Sequence, residues 1–278
     1  MGNHKQKINL IGGGFRHSPS TTGYENTYVE WVKGSFSAPI SIYVDDSINS
    51  TPNNSTINYA WISESKTIIG YIYDWCKNNI SFLEKNYVRV FTHDVELSKF
   101  SSVFSLTQCS GKSFIEHGDI FQKSKLVSMI LSNKTMCPEH KYRQDIIKKF
   151  SHKCDDHFGW GYSRLQNKID GLRDYCFSFA MENATYPNMF TEKITDCFMT
   201  GTIPIYYGIP NIGDFFNLDG IISLTDNFRI EDLSFDLYIS KVNAVKDNFE
   251  ISKNLLSAED FIYVNYIQND IQNNTQPR

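Results

Sequence analysis

Three neighbouring segments carry most of the structural signal in the sequence: Phe-Ser-Phe-Ala-Met-Glu-Asn (177–183), Phe-Thr-Glu-Lys-Ile (190–194) and Gly-Thr-Ile-Pro-Ile-Tyr-Tyr-Gly (201–208). The first and third segments hold short apolar runs, which predict buried strands over 175–181 and 203–207. Between them, apolar residues recur at helical spacing over 191–200, after a threonine that can cap a helix and before a glycine that can end one. A strand, a helix and a second strand in this order are typical of a parallel sheet.

Four polar residues stand at the ends of these elements. Glu182 and Asn183 close the first strand, while Glu192 and Lys193 open the helix. A lysine in a first helical turn opposes the helix dipole unless an anion accompanies it, and a phosphate would be a suitable anion. The alternative interpretation is a solvated Glu-Lys pair on a surface helix.

The alternation of strands and helices extends in both directions along the chain. Further strands are predicted over 7–11, 41–44, 59–62, 88–91, 126–131 and 220–224, and further helices over 24–33, 67–79, 139–150, 230–256 and 258–271. The pattern stops near Leu106 and starts again at Leu126. We therefore predict an α/β protein with two Rossmann-like domains, over 1–120 and 121–256, that face each other across a cleft at the carboxyl ends of their strands. Residues 257–278 are predicted to form a C-terminal helix and a frayed tail.

Composition excludes several classes of protein. The 278 residues are 41% hydrophobic and 21% charged, which is typical of globular proteins and not of disordered ones. The sequence has no apolar run of the roughly 18 residues that a membrane span requires and no signal-peptide pattern, so we expect a cytoplasmic protein. The net charge of −4 gives no overall attraction to nucleic acid or anionic lipid.

The six cysteines and seven histidines show no metal-binding spacing. The cysteines are widely separated, and neither a CxxC pair nor an HExxH motif occurs. Free thiols in a reducing compartment are the expected state. We expect neither a metal nor another cofactor.

The first predicted strand ends in a glycine loop, Gly12, Gly13 and Gly14, which is followed by Arg16. Glycine lets a backbone approach a phosphate or a sugar closely. The spacing is not GxGxxG, so a simple tight turn and a loop that contacts a ligand both remain open.

Acidic residues follow the fourth predicted strand of the first domain. Asp94 comes directly after His93, and Glu96 lies two residues further on. The carboxyl end of a parallel strand is where such a sheet presents side chains to a ligand, so the three residues are catalytic candidates. The alternative is that the acids favour the positive end of a helix dipole.

The ordered set of motifs over residues 125–224 resembles the donor-binding half of glycosyltransferase family ten, the α-1,3-fucosyltransferases. The set comprises Lys-Leu-Val-Ser-Met-Ile-Leu-Ser-Asn-Lys (125–134), His-Lys-Tyr-Arg (140–143) and the three segments quoted above. The resemblance implies a GT-B fold and an inverting enzyme that transfers a sugar, fucose or a related one, from a nucleotide sugar to an acceptor hydroxyl without a metal ion.

The resemblance also implies roles for single residues. Asn133 corresponds to the asparagine that ends the first strand of the donor domain, and Arg143 to the arginine that reaches the donor phosphates. Glu192 corresponds to the acid that holds sugar or ribose hydroxyls, and Lys193 to the lysine on the diphosphate. Asp94 falls near the catalytic carboxylate of the family.

The donor base and the acceptor stay open. Met189 stands where family members often have a tyrosine, which leaves Tyr186 as the nearest candidate to contact a guanine or uracil base. The expected acceptor is a glycan, and a hydroxylated base in DNA is an alternative, because basic residues gather between Lys141 and Arg173. A module that binds nucleotide sugars without turnover is a further alternative.

Overall fold

The computed structural model describes residues 5–12, 19–107, 111–135 and 138–273, and the chain divides into two compact units. Unit 1 combines Met1–Ser110 with Leu256–Arg278, and unit 2 is Gly111–Leu255. Each unit is built around one parallel sheet.

The sheet of unit 1 has six strands in the order β2-β1-β3-β4-β5-β6, and neighbouring strands are parallel. The strands are β1 (Gln6–Ile11), β2 (Val29–Lys33), β3 (Ile40–Val44), β4 (Ile57–Ile62), β5 (Val90–Thr92) and β6 (Phe104–Leu106). The five residues of β3 are buried throughout, as expected for a strand covered on both faces.

Helices of unit 1 follow β4 and β5. They are α1 (Lys66–Asn78), α2 (Ile80–Asn86) and the single turn α3 (Val95–Ser98). Ile69, Ile72 and Cys76 of α1 lie at helical spacing and are buried in the apolar core on one face of the sheet.

The helix predicted over 24–33 is wrong, because its second half is strand β2. Val29 pairs with Gln6 of β1, and Trp31 pairs with Ile8. The aromatic residues of this stretch occur at helical spacing, but Val29, Trp31 and Val32 are β-branched or aromatic and therefore suit a strand. The pairing with β1 makes this stretch a strand, because the secondary-structure propensity of its residues alone does not decide between helix and strand.

Unit 2 holds a five-stranded parallel sheet in the order β11-β10-β9-β7-β8. The strands are β7 (Lys125–Ile130), β8 (Asp156–Phe158), β9 (Tyr175–Met181), β10 (Ile203–Tyr207) and β11 (Ile222–Ser223). The helices are α4 (Pro138–Phe150), α5 (Glu192–Phe198), α6 (Phe235–Ser240) and α7 (Val242–Asn254). Because the chain continues from β7 to one side and from β9 to the other, the order reverses between these two strands.

The C-terminal residues belong to unit 1. Helix α8 (Ala258–Ile262) continues through a π-helical stretch (Tyr263–Ile267) into α9 (Gln268–Gln272). Its apolar side packs on the second face of the unit 1 sheet, and Arg89 forms two hydrogen bonds of 2.7 Å to Asp270. The described part of residues 257–278, which were predicted as a separate C-terminal helix and tail, thus contributes a helical layer to unit 1.

Candidate active site

A pocket of about 190 Å³ opens in unit 2 where the strand order reverses. Leu131 and Ser132, which follow β7, line it together with Met181 at the end of β9. Four charged side chains also line it: Arg143, Lys168, Glu192 and Lys193. Ligands of open parallel sheets bind at this reversal point, outside the carboxyl ends of the strands.

Arg143 reaches the pocket from α4 and is held at the end of β9. The side chain is 5% exposed, and its Nη2 donates to Asn183 Oδ1 at 2.7 Å and to the Met181 carbonyl at 3.3 Å. Nε2 of His140, one turn earlier in α4, lies 3.2 Å from the same Asn183 oxygen. Burial and the neighbouring Arg143 lower the pKa of His140, so the ring is neutral at pH 7.

Glu182 and Lys193 form an ion pair at the pocket. Glu182 is fully buried and accepts hydrogen bonds from the Thr191 backbone N–H at 2.8 Å, the Thr191 hydroxyl at 2.7 Å and Lys193 Nζ at 3.0 Å. Thr191 is the residue before α5, as predicted, but its hydroxyl serves Glu182 and makes no capping bond to the helix. In place of the solvated pair with Glu192 that was the alternative, Lys193, whose side chain is 24% exposed, pairs with the fully buried Glu182.

A second charged group surrounds Glu192. Lys168 Nζ lies 2.5 Å from Asp196 Oδ2 and 3.5 Å from Glu192 Oε1. Burial acts to raise the pKa of Glu192, but Lys193 and Lys168 outweigh it and the pKa lies below its usual value. Glu192 is therefore ionised at neutral pH and accepts hydrogen bonds.

Lys168 and Asp196 lie at the site but were not predicted to be site residues. Lys168 appeared only as one of several basic residues, and Asp196 was not considered. The spacing of Glu192 and Asp196, four residues apart in one helix, is a signal that could have been used, since such residues share a helix face.

The other predicted donor residues lie around the pocket without lining it. Asn133, one residue beyond Ser132, is exposed, and its backbone N–H donates to the Trp160 carbonyl at 3.0 Å. Tyr186 is half-buried, and its carbonyl accepts from the Met189 N–H at 3.3 Å. Met189 is only 3% exposed and therefore belongs to the core, where it offers no surface to a base.

The predicted catalytic residues of unit 1 sit after β5. Asp94 is 7% exposed, its Oδ1 accepts from the Leu97 N–H at 2.8 Å, and its Oδ2 lies 2.9 Å from Lys66 Nζ. It therefore caps α3, as the alternative interpretation held, and is also an ionised carboxylate. Burial acts to raise its pKa, but the Leu97 N–H and Lys66 keep the pKa below the usual value.

The two neighbours of Asp94 differ from it. His93 is 2% exposed, burial lowers its pKa to about 4, and its Nε2 lies 3.4 Å from the Tyr73 hydroxyl. The imidazole is therefore neutral at pH 7 and almost fully removed from solvent. Glu96 is largely exposed and lies 3.5 Å from Lys99 in a surface pair.

Gly12 has a structural reason to be glycine. Its φ is +108°, and a Cβ there would lie 2.6 Å from the Val44 carbonyl oxygen. Close packing of β1 against the end of β3 therefore requires glycine at this position. Gly13, Gly14 and Arg16 lie outside the described residues.

The described residues show neither a metal site nor a membrane-spanning helix. No group of three or more His, Cys, Asp or Glu side chains there could hold a metal ion. In the same part of the chain, no helix combines the length and the apolar character that crossing a bilayer demands.

Comparison with known proteins shows what the second unit resembles. Residues 120–251 match the family model described as glycosyltransferase family 10 (fucosyltransferase) C-term. An alpha-(1,3)-fucosyltransferase, FucT of Helicobacter pylori, is 32% identical over 110 residues, which are 38% of this chain and 22% of the relative. The match thus spans well under two thirds of that relative.

Solved structures resemble the whole chain. A crystal structure of an alpha1,3-fucosyltransferase with GDP has a TM-score of 0.54 at 15% identity and covers 98% of this chain and 92% of its own. Alr3699/HepE of Anabaena in complex with UDP-glucose has a TM-score of 0.58 at 6% identity, with 97% and 100% covered. The resemblance to glycosyltransferase family 10 that the motifs predicted is thereby confirmed, and the chain has the GT-B fold.

Proposed function

We propose that this chain is an inverting glycosyltransferase that moves a sugar, fucose or a related one, from a GDP- or UDP-linked donor to a hydroxyl of a glycan. The observation that carries the proposal is that Arg143 and Lys193 line one pocket at the point where the strand order reverses. The family match over residues 120–251 supports the same reaction class, and the names of two structural neighbours include GDP and UDP-glucose.

The pocket suits the leaving group of such a reaction. Breaking the bond between sugar and diphosphate places negative charge on the diphosphate, and fixed cations stabilise that charge where it develops. Arg143 and Lys193 are held by Asn183 and Glu182, so little reorganisation is needed when the donor binds. Ionised Glu192 accepts hydrogen bonds from ribose or sugar hydroxyls.

The acceptor hydroxyl must lose a proton as it attacks, and we assign Asp94 as the general base that accepts this proton. The carboxylate is ionised at neutral pH, and Leu97 and Lys66 fix its two oxygens. A general base needs a defined position as well as basicity. We place no metal in the reaction, because the cations of the chain can neutralise the leaving group.

The charges around the basic residues of 141–173 favour a glycan over DNA as the acceptor. Three of the basic residues behind the DNA alternative face acids: Lys153 contacts Glu231 at 2.5 Å, Lys168 contacts Asp196 at 2.5 Å, and Arg173 lies 3.9 Å from Asp170. Lysines and arginines engaged in this way offer less attraction to DNA phosphates.

The test is incubation with a panel of nucleotide sugars, including GDP-fucose and UDP-glucose, while release of nucleoside diphosphate is measured. Slow hydrolysis of one donor, accelerated by a glycan acceptor, is the expected result. Binding of GDP or UDP in a calorimeter without release from any sugar donor would instead favour a binding module. Binding of neither nucleotide would end the proposal.

Chelation should leave the activity unchanged. We expect the transfer rate to be the same with and without EDTA at roughly 5–10 mM. The reason is that side-chain cations, and not a metal ion, stabilise the leaving group. The check is a rate measurement before and after EDTA treatment and after addition of manganese or magnesium. Loss in EDTA with recovery on metal addition would contradict this part of the mechanism.

Replacing Lys66 should change the pH dependence of transfer. Lys66→Met removes the cation that holds the pKa of Asp94 down, and burial then raises that pKa. A general base is active when deprotonated, so activity in the variant should be lost at higher pH than in the wild type. Rate profiles from pH 3 to 8, at about half-unit steps, measure the shift. An unchanged acid limb would show that Asp94 does not control it.

A further inference from the structure

We propose that Lys168 is a positioning residue that holds Glu192 in the orientation that accepts a ribose hydroxyl of the donor nucleotide. The inference rests on the proposed function, whose donor site it extends. Its basis is a chain of contacts in which Lys168 Nζ lies 2.5 Å from Asp196 and 3.5 Å from Glu192.

Asp196 is the fixed end of this chain of contacts. It is fully buried, and its Oδ1 accepts from the Ser113 hydroxyl at 2.5 Å and from the Phe114 N–H at 2.8 Å. Its Oδ2 faces Lys168. Because three groups hold its carboxylate, Asp196 provides a rigid anchor for Lys168 and does not itself line the pocket.

The backbone of Lys168 is also fixed. Lys168 begins a short 3-10 helix, Lys168–Gly171, which lies just before β9. A Cβ at Gly171 would lie 2.7 Å from Leu165 Cδ1 and 2.9 Å from Ile130 Cδ1, so the helix packs tightly on its neighbours. Lys168 is thus held both at its backbone and at its ammonium group. A residue that positions another side chain needs such support, whereas a lysine that only attracts a phosphate does not.

Glu192 needs such a partner because Lys193 is engaged elsewhere. Lys193 Nζ contacts Glu182 at 3.0 Å and the Thr191 hydroxyl at 2.8 Å, and in the proposed reaction it serves the diphosphate. Lys193 already attracts Glu192, and without Lys168 it would be the only one of these two cations left to hold that carboxylate, so Glu192 would compete more strongly with the diphosphate for Lys193. With Lys168 in place, Glu192 can contact the ribose hydroxyl while Lys193 contacts the diphosphate.

The test compares affinities for GDP and 2′-deoxy-GDP by calorimetry, or for UDP and 2′-deoxy-UDP if the uracil nucleotide binds. In the wild type we expect the deoxynucleotide to bind about tenfold more weakly, since a hydrogen bond to a carboxylate is lost. In Lys168→Met the ratio should fall toward one. Lys168→Arg, which can bridge the same two acids, should restore most of it.

Other outcomes separate this inference from the alternatives. If Lys168 contacts the phosphates directly, Lys168→Met weakens both nucleotides equally and the ratio stays near tenfold, which overturns the proposal. Equal binding of the two nucleotides by the wild type overturns it as well, whereas donor turnover tests the proposed function independently. Lys148→Met, at an exposed lysine paired with Asp145, is the matched control and should leave the ratio unchanged.

Folding is checked in the same experiment. Lys168→Met leaves Asp196 buried without its cation, so thermal unfolding is measured beside binding. If the single variant is unstable, the double variant Lys168→Met/Asp196→Asn removes both charges and keeps the hydrogen-bond acceptor for Ser113. The double variant should again show a ratio near one, and a tenfold ratio would refute the proposal.

Discussion

Asp94→Asn should lower the rate of transfer by about 10²–10⁴ and change the affinity for the donor nucleotide by no more than a few-fold. The substitution preserves the shape of the side chain and removes its basicity, while the groups that line the nucleotide pocket lie in unit 2 and stay in place. Single-turnover rates with saturating donor and acceptor, together with calorimetric titration of the nucleotide, give the two numbers.

The fold should tolerate this change. An asparagine Oδ1 can accept the hydrogen bond from the Leu97 N–H that caps α3, so the loss in stability should be about 1 kcal/mol or less. Glu96→Gln is the matched control, because Glu96 is exposed on the same turn and should keep full activity. Full transfer by Asp94→Asn with loss in a His93 or Glu96 variant would reassign the base.

Sequence reasoning worked best where strands are buried on both faces. The bounds predicted for β9 and β10, 175–181 and 203–207, agree with the structure, because a continuous apolar run between polar ends has few alternatives as a buried strand. Strands β6 and β8 have three residues each and were not predicted, since so short a run carries little periodic signal.

Contacts between distant parts of the chain could not be predicted. The return of the C-terminal helix to unit 1 depends on pairs such as Glu259 with Thr21, whose N–H and hydroxyl donate to it at 2.8 and 2.7 Å, and Asp260 with the Thr27 N–H at 2.7 Å. No local pattern links residues more than 200 positions apart. Lys168 and Asp196 were missed for a related reason, because no local pattern pairs a lysine before β9 with an acid in α5.

Lys193→Met should lower turnover by about 10²–10³, the usual effect of losing one group that stabilises charge in the transition state. From the sequence alone, Lys193 lies outside the apolar stripe of its helix, and this position predicts that its loss leaves the fold intact. The structure changes that expectation, because Lys193 is the cation of fully buried Glu182. We now expect the variant to lose about 1–3 kcal/mol of stability as well, with the two hydrogen bonds from Thr191 limiting the cost.

The double variant Lys193→Met/Glu182→Gln separates the two effects. Glutamine keeps an oxygen acceptor for Thr191 and removes the uncompensated charge, so the free energy of unfolding should recover toward the wild-type value. Turnover should not recover, because the diphosphate still lacks its cation. Chemical denaturation and turnover are measured on all three proteins. If the double variant regains full turnover, the effect of Lys193 is on folding alone, and the diphosphate must be neutralised by Arg143 and other groups of the pocket.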